Sequence, residues 1–183
     1  MYRWEFDSDR KFRNTVRGWI RSLNDLRWLW PHVARAVQYH HARVFDTEGM
    51  AAQRGGWVPL APMTAKARFF GWDVEGSYTG AYGATSSEGA EGKILHWTHT
   101  LRHSLTRKQA EGAIRRFHKA SMVFGTSLPH AADHQYGRTV PIGRDGQLRE
   151  LPIRPVIDPK GSIPAIAKAM NHHITKRFNR RSR

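Results

Sequence analysis

The residues of this chain best able to do chemistry are its histidines: there are 11, and no cysteine. His96, His99 and His103 recur at steps of three and four, which puts them on one face if the segment is helical. Zinc or nickel accepts imidazoles so placed. No carboxylate lies within the motif to complete a catalytic site, and the pattern is His-Trp-Thr-His rather than H-E-x-x-H. The cluster therefore reads as a polar, partly exposed face. His130 and His134 flank Asp133, and His172-His173 follow Asn171. A ββα metal-dependent nuclease needs a histidine at a strand end, then an asparagine and a histidine on a following helix at set spacing. That order is absent, and His134 reads more simply as a loop histidine bonding backbone groups. Nor is there a nucleophile elbow, a cysteine nucleophile or a phosphate-cradling loop. Gly80 and Gly83 lack the lysine and strand–helix context of a P-loop. The expectation is a chain without enzymatic activity, cofactor or metal.

Charge points to binding instead. Lys and Arg number 30 against 15 Asp and Glu, a formal net charge of +15. Such a balance favours nucleic acid, an anionic membrane or the acidic surface of another protein. At 183 residues the chain suits a single well-cored domain with length left for arms. Apolar content of 39% is slightly low, so part of the chain should lie outside the core. The lack of cysteine excludes disulfides and thiolate metal sites, and fits a cytosolic site of assembly. The first ten residues are charged throughout, so no secretory leader is expected. No run approaches the roughly 20 apolar residues needed to span a bilayer.

The elements that must position these residues follow from periodicity. Residues 8–30 read as an amphipathic N-terminal helix, capped by Ser8, with Phe12, Val16, Trp19, Ile20 and Leu23 on one face and arginines opposite. Pro31 ends or kinks it and suits the first turn of a second helix over 32–46. Val33, Val37, His40 or His41, and Val44 make its stripe, and Phe45 helps close it. A loop over 49–62 is pinned by Trp57 and Leu60, and a short helix is expected from Thr64 to about Phe70. Residues 71–93 lose periodicity and read as a long mobile loop. Its Tyr78 and Tyr82, with Trp72 at its border, are the interface candidates. Residues 94–105 read as a helix, with Thr106 and Gln109 capping a further turn. Residues 113–124 stay ambiguous between helix and strand, and 138–150 read as a hairpin turning at Asp145-Gly146. Ser162 caps a basic C-terminal helix over 162–183 with Ile163, Ile166, Met170, Ile174 and Phe178 on one face. Its far end carries Arg177, Arg180 and Arg181 as further interface candidates.

Met122 to Pro159 is the organising stretch. Met122-Val123-Phe124 reads as a buried strand that Gly125 and Thr126 end in a tight turn. His134-Gln135-Tyr136-Gly137 follows, and then Leu151-Pro152-Ile153-Arg154-Pro155, whose prolines confine it to a sheet edge or a surface crossing. This order resembles the phage virion morphogenesis family, the tail-completion or neck proteins of Mu-like and related tailed bacteriophages. Phe45-Asp46-Thr47-Glu48-Gly49 with Trp57, Pro59, Leu60 and Thr64 resembles the family's "F-x-x-E-G … W-x-P-L … T". Residues 94–105 resemble its "I-L-x-x-T-G-x-L-x-x-S-L", except that His99 stands where the family has glycine. The resemblance covers roughly residues 30–160.

The resemblance implies an α+β fold, a small, mostly antiparallel sheet packed by several helices. It implies a structural virion protein: a homo-oligomeric ring, a hexamer by expectation, that completes the tail and joins it to the head connector. Its partners would be the portal-side connector protein and the tail tube or tail terminator, with DNA passing through the lumen and no membrane involved. It would be assembled in the host cytoplasm and reside in the virion neck. The terminal arginines are then expected to meet an acidic protein surface rather than DNA, since dense phosphate contacts would slow sliding. The competing reading, a basic nucleic-acid-binding module unrelated to virions, rests on the bulk charge and the arginine-rich end helices.

Overall fold

The computed structural model describes residues 8–53, 55–59, 99–142 and 147–181. The fold is α+β, and the described residues form five α-helices and two antiparallel hairpins. Helix α1, Ser8–Asn24, is followed by a 3-10 turn, Leu26–Trp28, and by α2, Trp30–Asp46. The first helix thus stops at Asn24 rather than running to 30. Asp25 adopts an extended conformation and its carboxylate accepts the Arg27 N–H, which starts the new turn. Pro31 lies in the first turn of α2, where its missing N–H costs nothing.

Helix α2 is the spine. Its buried residues are Trp30, Val33, Ala34, Val37, His41, Val44 and Phe45, so of the two candidate histidines His41 faces inward. The C-terminal half joins a cluster with Ala52, Trp57, Leu101, Leu105, Ala131 and Val156. The N-terminal half joins Leu29, with Ile166, Met170 and Ile174 packed against it. Phe124 touches both clusters. Burying one such side chain stabilises by about 2 kcal/mol, so these two clusters hold the fold.

Helix α3, Thr100–Thr106, sets Leu101 and Leu105 into the first cluster. Thr106 does not cap a further turn; its hydroxyl donates back to the Arg102 carbonyl. Strands β1, Ala113–Phe117, and β2, Met122–Thr126, form a hairpin, which resolves the ambiguity over 113–124 in favour of strands. Its turn braces the spine: the Leu26 N–H donates to the Lys119 carbonyl and Trp30 Nε1 to the His118 carbonyl, both at 2.7 Å. The segment after β2 is helical, α4, Pro129–Tyr136, so His134 is a helical rather than a loop residue. Strands β3, Arg138–Ile142, and β4, Gln147–Leu151, pair as expected, although the two hairpins remain separate two-stranded sheets.

Helix α5, Ile163–Arg181, packs its apolar stripe, Ile166, Met170 and Ile174, along α2. Ser162 precedes it, and its hydroxyl donates to the Pro159 carbonyl rather than capping the helix. Among the described residues no helix is long and apolar enough to cross a membrane. The proposed helix over 64–70 and the loop over 71–93 lie outside the described residues, as does the Asp145-Gly146 turn.

Candidate functional site

Residues 152–158 pair with no strand among the described residues, and burial alternates along them: Arg154, Val156 and Asp158 are buried. A buried extended segment outside a sheet must find partners for its N–H groups elsewhere. Pro152 and Pro155 have none to satisfy, and Ile153 is exposed. The Arg154 N–H donates to the His134 carbonyl at 2.7 Å. Gln135 Oε1 accepts both the Val156 and Ile157 N–H groups at 2.9 Å, while its Nε2 donates to the Ile157 carbonyl. The Asp158 N–H donates to His41 Nε2 at 3.4 Å. One glutamine side chain therefore does the work of a missing strand.

The other face of this segment meets residues 57–59. Trp57 Nε1 donates to the Pro155 carbonyl at 3.0 Å. The Arg154 guanidinium donates to the carbonyls of Val58 and Pro59. Burial pulls its pKa below the usual guanidinium range. Phe45 lies edge-on to the Trp57 ring at 5.4 Å. Gly49 has φ +87, and a β-carbon there would stand 2.5 Å from Trp57 Cδ1. That contact is a physical reason for phenylalanine, glycine and tryptophan at these three positions. Leu60, Thr64, Trp72, Tyr78 and Tyr82 lie outside the described residues.

Of the remaining motif residues, Gly137 ends α4 at φ +79, in the region glycine favours. Gly125 does not end a strand. It sits inside β2, paired with Ile114, and a β-carbon there would meet nothing within 4 Å. Strand β2 is also only half-buried, with Val123 exposed. Thr126 Oγ1 accepts the Leu128 N–H, and Tyr136 is 76% exposed. His99 precedes α3 at φ +54, its ring stacked on His103 at 5.6 Å, and His96 lies outside the described residues. Among the described residues no group of three potential ligands is placed to hold a metal ion.

Three features escaped the sequence reading. His40 Nε2 donates to Asp158 Oδ2 at 3.0 Å, and the same carboxylate accepts the N–H groups of Gln53 and Gly161. Burial alone would raise the Asp158 pKa, but these donors outweigh it and hold the group below the carboxylate range. Arg115 lies over the Phe124 ring at 3.6 Å and donates to the carbonyls of Ser104 and Gly125, and burial lowers its pKa to about 10. The third is a basic surface where α5 meets the 3-10 turn. Arg177 stacks over Trp28 at 4.3 Å and reaches Ser22, and Phe178 meets Trp19 at 5.3 Å. His32 stacks on His173 at 3.7 Å. Burial, with His32, His172 and Lys176 nearby, lowers the His173 pKa. Arg177 is thus docked within the chain, whereas Arg180 is exposed. Arg181 is the last residue of α5.

The described residues define an α+β architecture in which Gln135, Arg154 and Trp57 brace the segment 152–158. Compared with known proteins, the chain matches no family model, no curated protein and no solved structure.

Proposed function

We propose that this chain is a structural protein of the bacteriophage neck, which assembles as a homo-oligomeric ring, completes the tail and joins it to the head connector. One observation carries the reading. The segments that resemble the tail-completion family, Phe45–Gly49, Trp57–Pro59, His134–Gly137 and Pro152–Pro155, lie far apart in the chain yet meet at one brace. Weak motifs that converge in space support a shared fold better than any of them does alone. Their roles there are to satisfy backbone groups and seat an indole, which suits a protein whose work is assembly. Head-to-tail contacts between identical copies close a ring when the rotation between them closes. Its two faces would dock the portal-side connector and the tail tube or terminator, with DNA passing through the lumen of the assembled virion.

Particle assembly in the absence of this chain tests the reading. Separate filled heads and tails should accumulate, and added purified protein should join them. Complete, infectious particles formed without the chain overturn it.

A further inference from the structure

Helix α5 has no acidic residue in its 19 positions. Ile166, Met170 and Ile174 turn inward against the second cluster, which fixes the face that looks outward. On that face Lys168, His172, Lys176 and Arg180 follow one another at steps of four, all exposed. Asn171, Thr175 and Asn179 fill the positions between them and line the same shallow groove. Four residues of helix advance about 6 Å, so the row extends about 18 Å. Its C-terminal end opens into a cleft of about 420 Å³ lined by Trp28, His32, His173, Lys176, Arg177 and Arg180. A neighbouring cleft adds Arg21 and Arg27. The only carboxylate lining these grooves among the described residues is Asp25, already paired with Arg27.

We propose that this outward face of α5 is a binding track for the phosphate backbone of a nucleic-acid strand. The spacing selects a linear polyanion. Neighbouring phosphates of one strand are about 7 Å apart, close to the ~6 Å step between successive side chains of the row. The interleaved asparagines and threonine are hydrogen-bonding side chains of the kind that contact phosphate oxygens beside Lys and Arg. A cation row that grips an acidic protein helix has no use for three amide and hydroxyl groups in register with it. The contacts are exposed and few, so binding is salt-labile and carries no base sequence. The track goes beyond the neck reading and stands independently of it, and it assigns Arg180 to phosphate where the resemblance led to an acidic protein surface.

The test uses the full chain and a fluorescein-labelled 20-base-pair duplex, with anisotropy read across a potassium chloride series. The variant K168Q/K176Q/R180Q should lose on the order of tenfold in affinity at ~0.1 M salt, and its log–log salt slope should fall by about 2 to 3. A control, R43Q/R107Q/K108Q, removes the same charge from exposed positions off the track and should change both far less. Equal losses in the two variants would reduce the effect to net charge and overturn the proposal. So would an absence of duplex and single-strand binding, or competition by poly-glutamate as strong as by DNA at equal charge. Binding to phosphatidylserine vesicles without binding to the oligonucleotide would assign the face to a membrane instead.

Discussion

The indole of Trp57 donates its N–H to the carbonyl of Pro155 across 98 positions of chain, at 3.0 Å. Pro155 has no N–H of its own, so its carbonyl is the only polar group it can contribute, and Trp57 is 5% exposed. Trp57→Phe keeps a ring against Phe45 but leaves that carbonyl without its donor. The cost of a buried acceptor left unpaired is about 1–3 kcal/mol. For a domain of this size that lowers Tm by roughly 2–12 °C. Thermal denaturation by circular dichroism reads it directly, and an unchanged Tm removes this bond from the brace.

Three glycines that look alike in sequence should rank differently. At Gly49 a β-carbon meets the Trp57 ring and the φ is positive, so Gly49→Ala carries both penalties. At Gly137 the φ is positive and the nearest contacts are 3.1 Å to Ile153 and 3.3 Å to the Leu151 carbonyl, so Gly137→Ala should cost about 1–2 kcal/mol. At Gly125 the φ is ordinary and the space is open, so Gly125→Ala should be near neutral. Urea midpoints of the three variants settle the order, and a Gly125 variant as damaged as the Gly49 variant contradicts it.

The helical parts were legible because burial repeats with the helical period. The stripe Val33, Val37, His41 and Val44 is visible in the bare sequence, as is Trp57 as an anchor beside glycines. Gly125 misled because a glycine after three apolar residues looks like a strand end, and only the pairing with Ile114 shows that the ladder continues. The prolines confine residues 151–155 to an edge or a crossing, but nothing local says that Gln135 supplies the missing ladder. His41 and Asp158 are 117 positions apart, beyond the reach of any spacing rule. The α5 track was hidden for a related reason. Lysine, histidine and arginine between asparagines look like any solvated face until the packing of Ile166, Met170 and Ile174 fixes which side is outward.

His99 offers a test of the one position where this chain departs from the glycine of the resembled motif. Its φ of +54 is left-handed, which costs a residue with a β-carbon about 1–2 kcal/mol. His99→Ala keeps that strain and loses the ring stacked on His103, whereas His99→Gly loses the same ring and the strain with it. The glycine variant should be the more stable of the two by about 1 kcal/mol in chemical denaturation. Equal stability would mean that the backbone relaxes there without cost.

The buried pair His41 and Asp158 makes the fold acid-sensitive. His41 Nδ1 donates to the Val37 carbonyl at 2.8 Å and Nε2 accepts the Asp158 N–H, so the ring is neutral with its proton on Nδ1. Burial lowers its pKa from 6.5 to about 4, against the opposing pull of the Val37 carbonyl. A histidine depressed in the folded state binds its proton first in the unfolded chain. Its contribution is therefore complete above about pH 6.5 and is lost as pH falls toward 4, on the order of 3 kcal/mol over that window. Asp158 is depressed as well, so its own contribution disappears only below the ordinary carboxylate range, at the acid end. His41→Gln retains a donor and an acceptor without a titrating group. Urea midpoints from pH 7 to pH 4 should fall steeply in the wild type and by about 3 kcal/mol less in the variant, whatever the variant's stability at neutral pH. Parallel curves would show that His41 takes up its proton in the fold as readily as outside it, and that the acid response arises elsewhere.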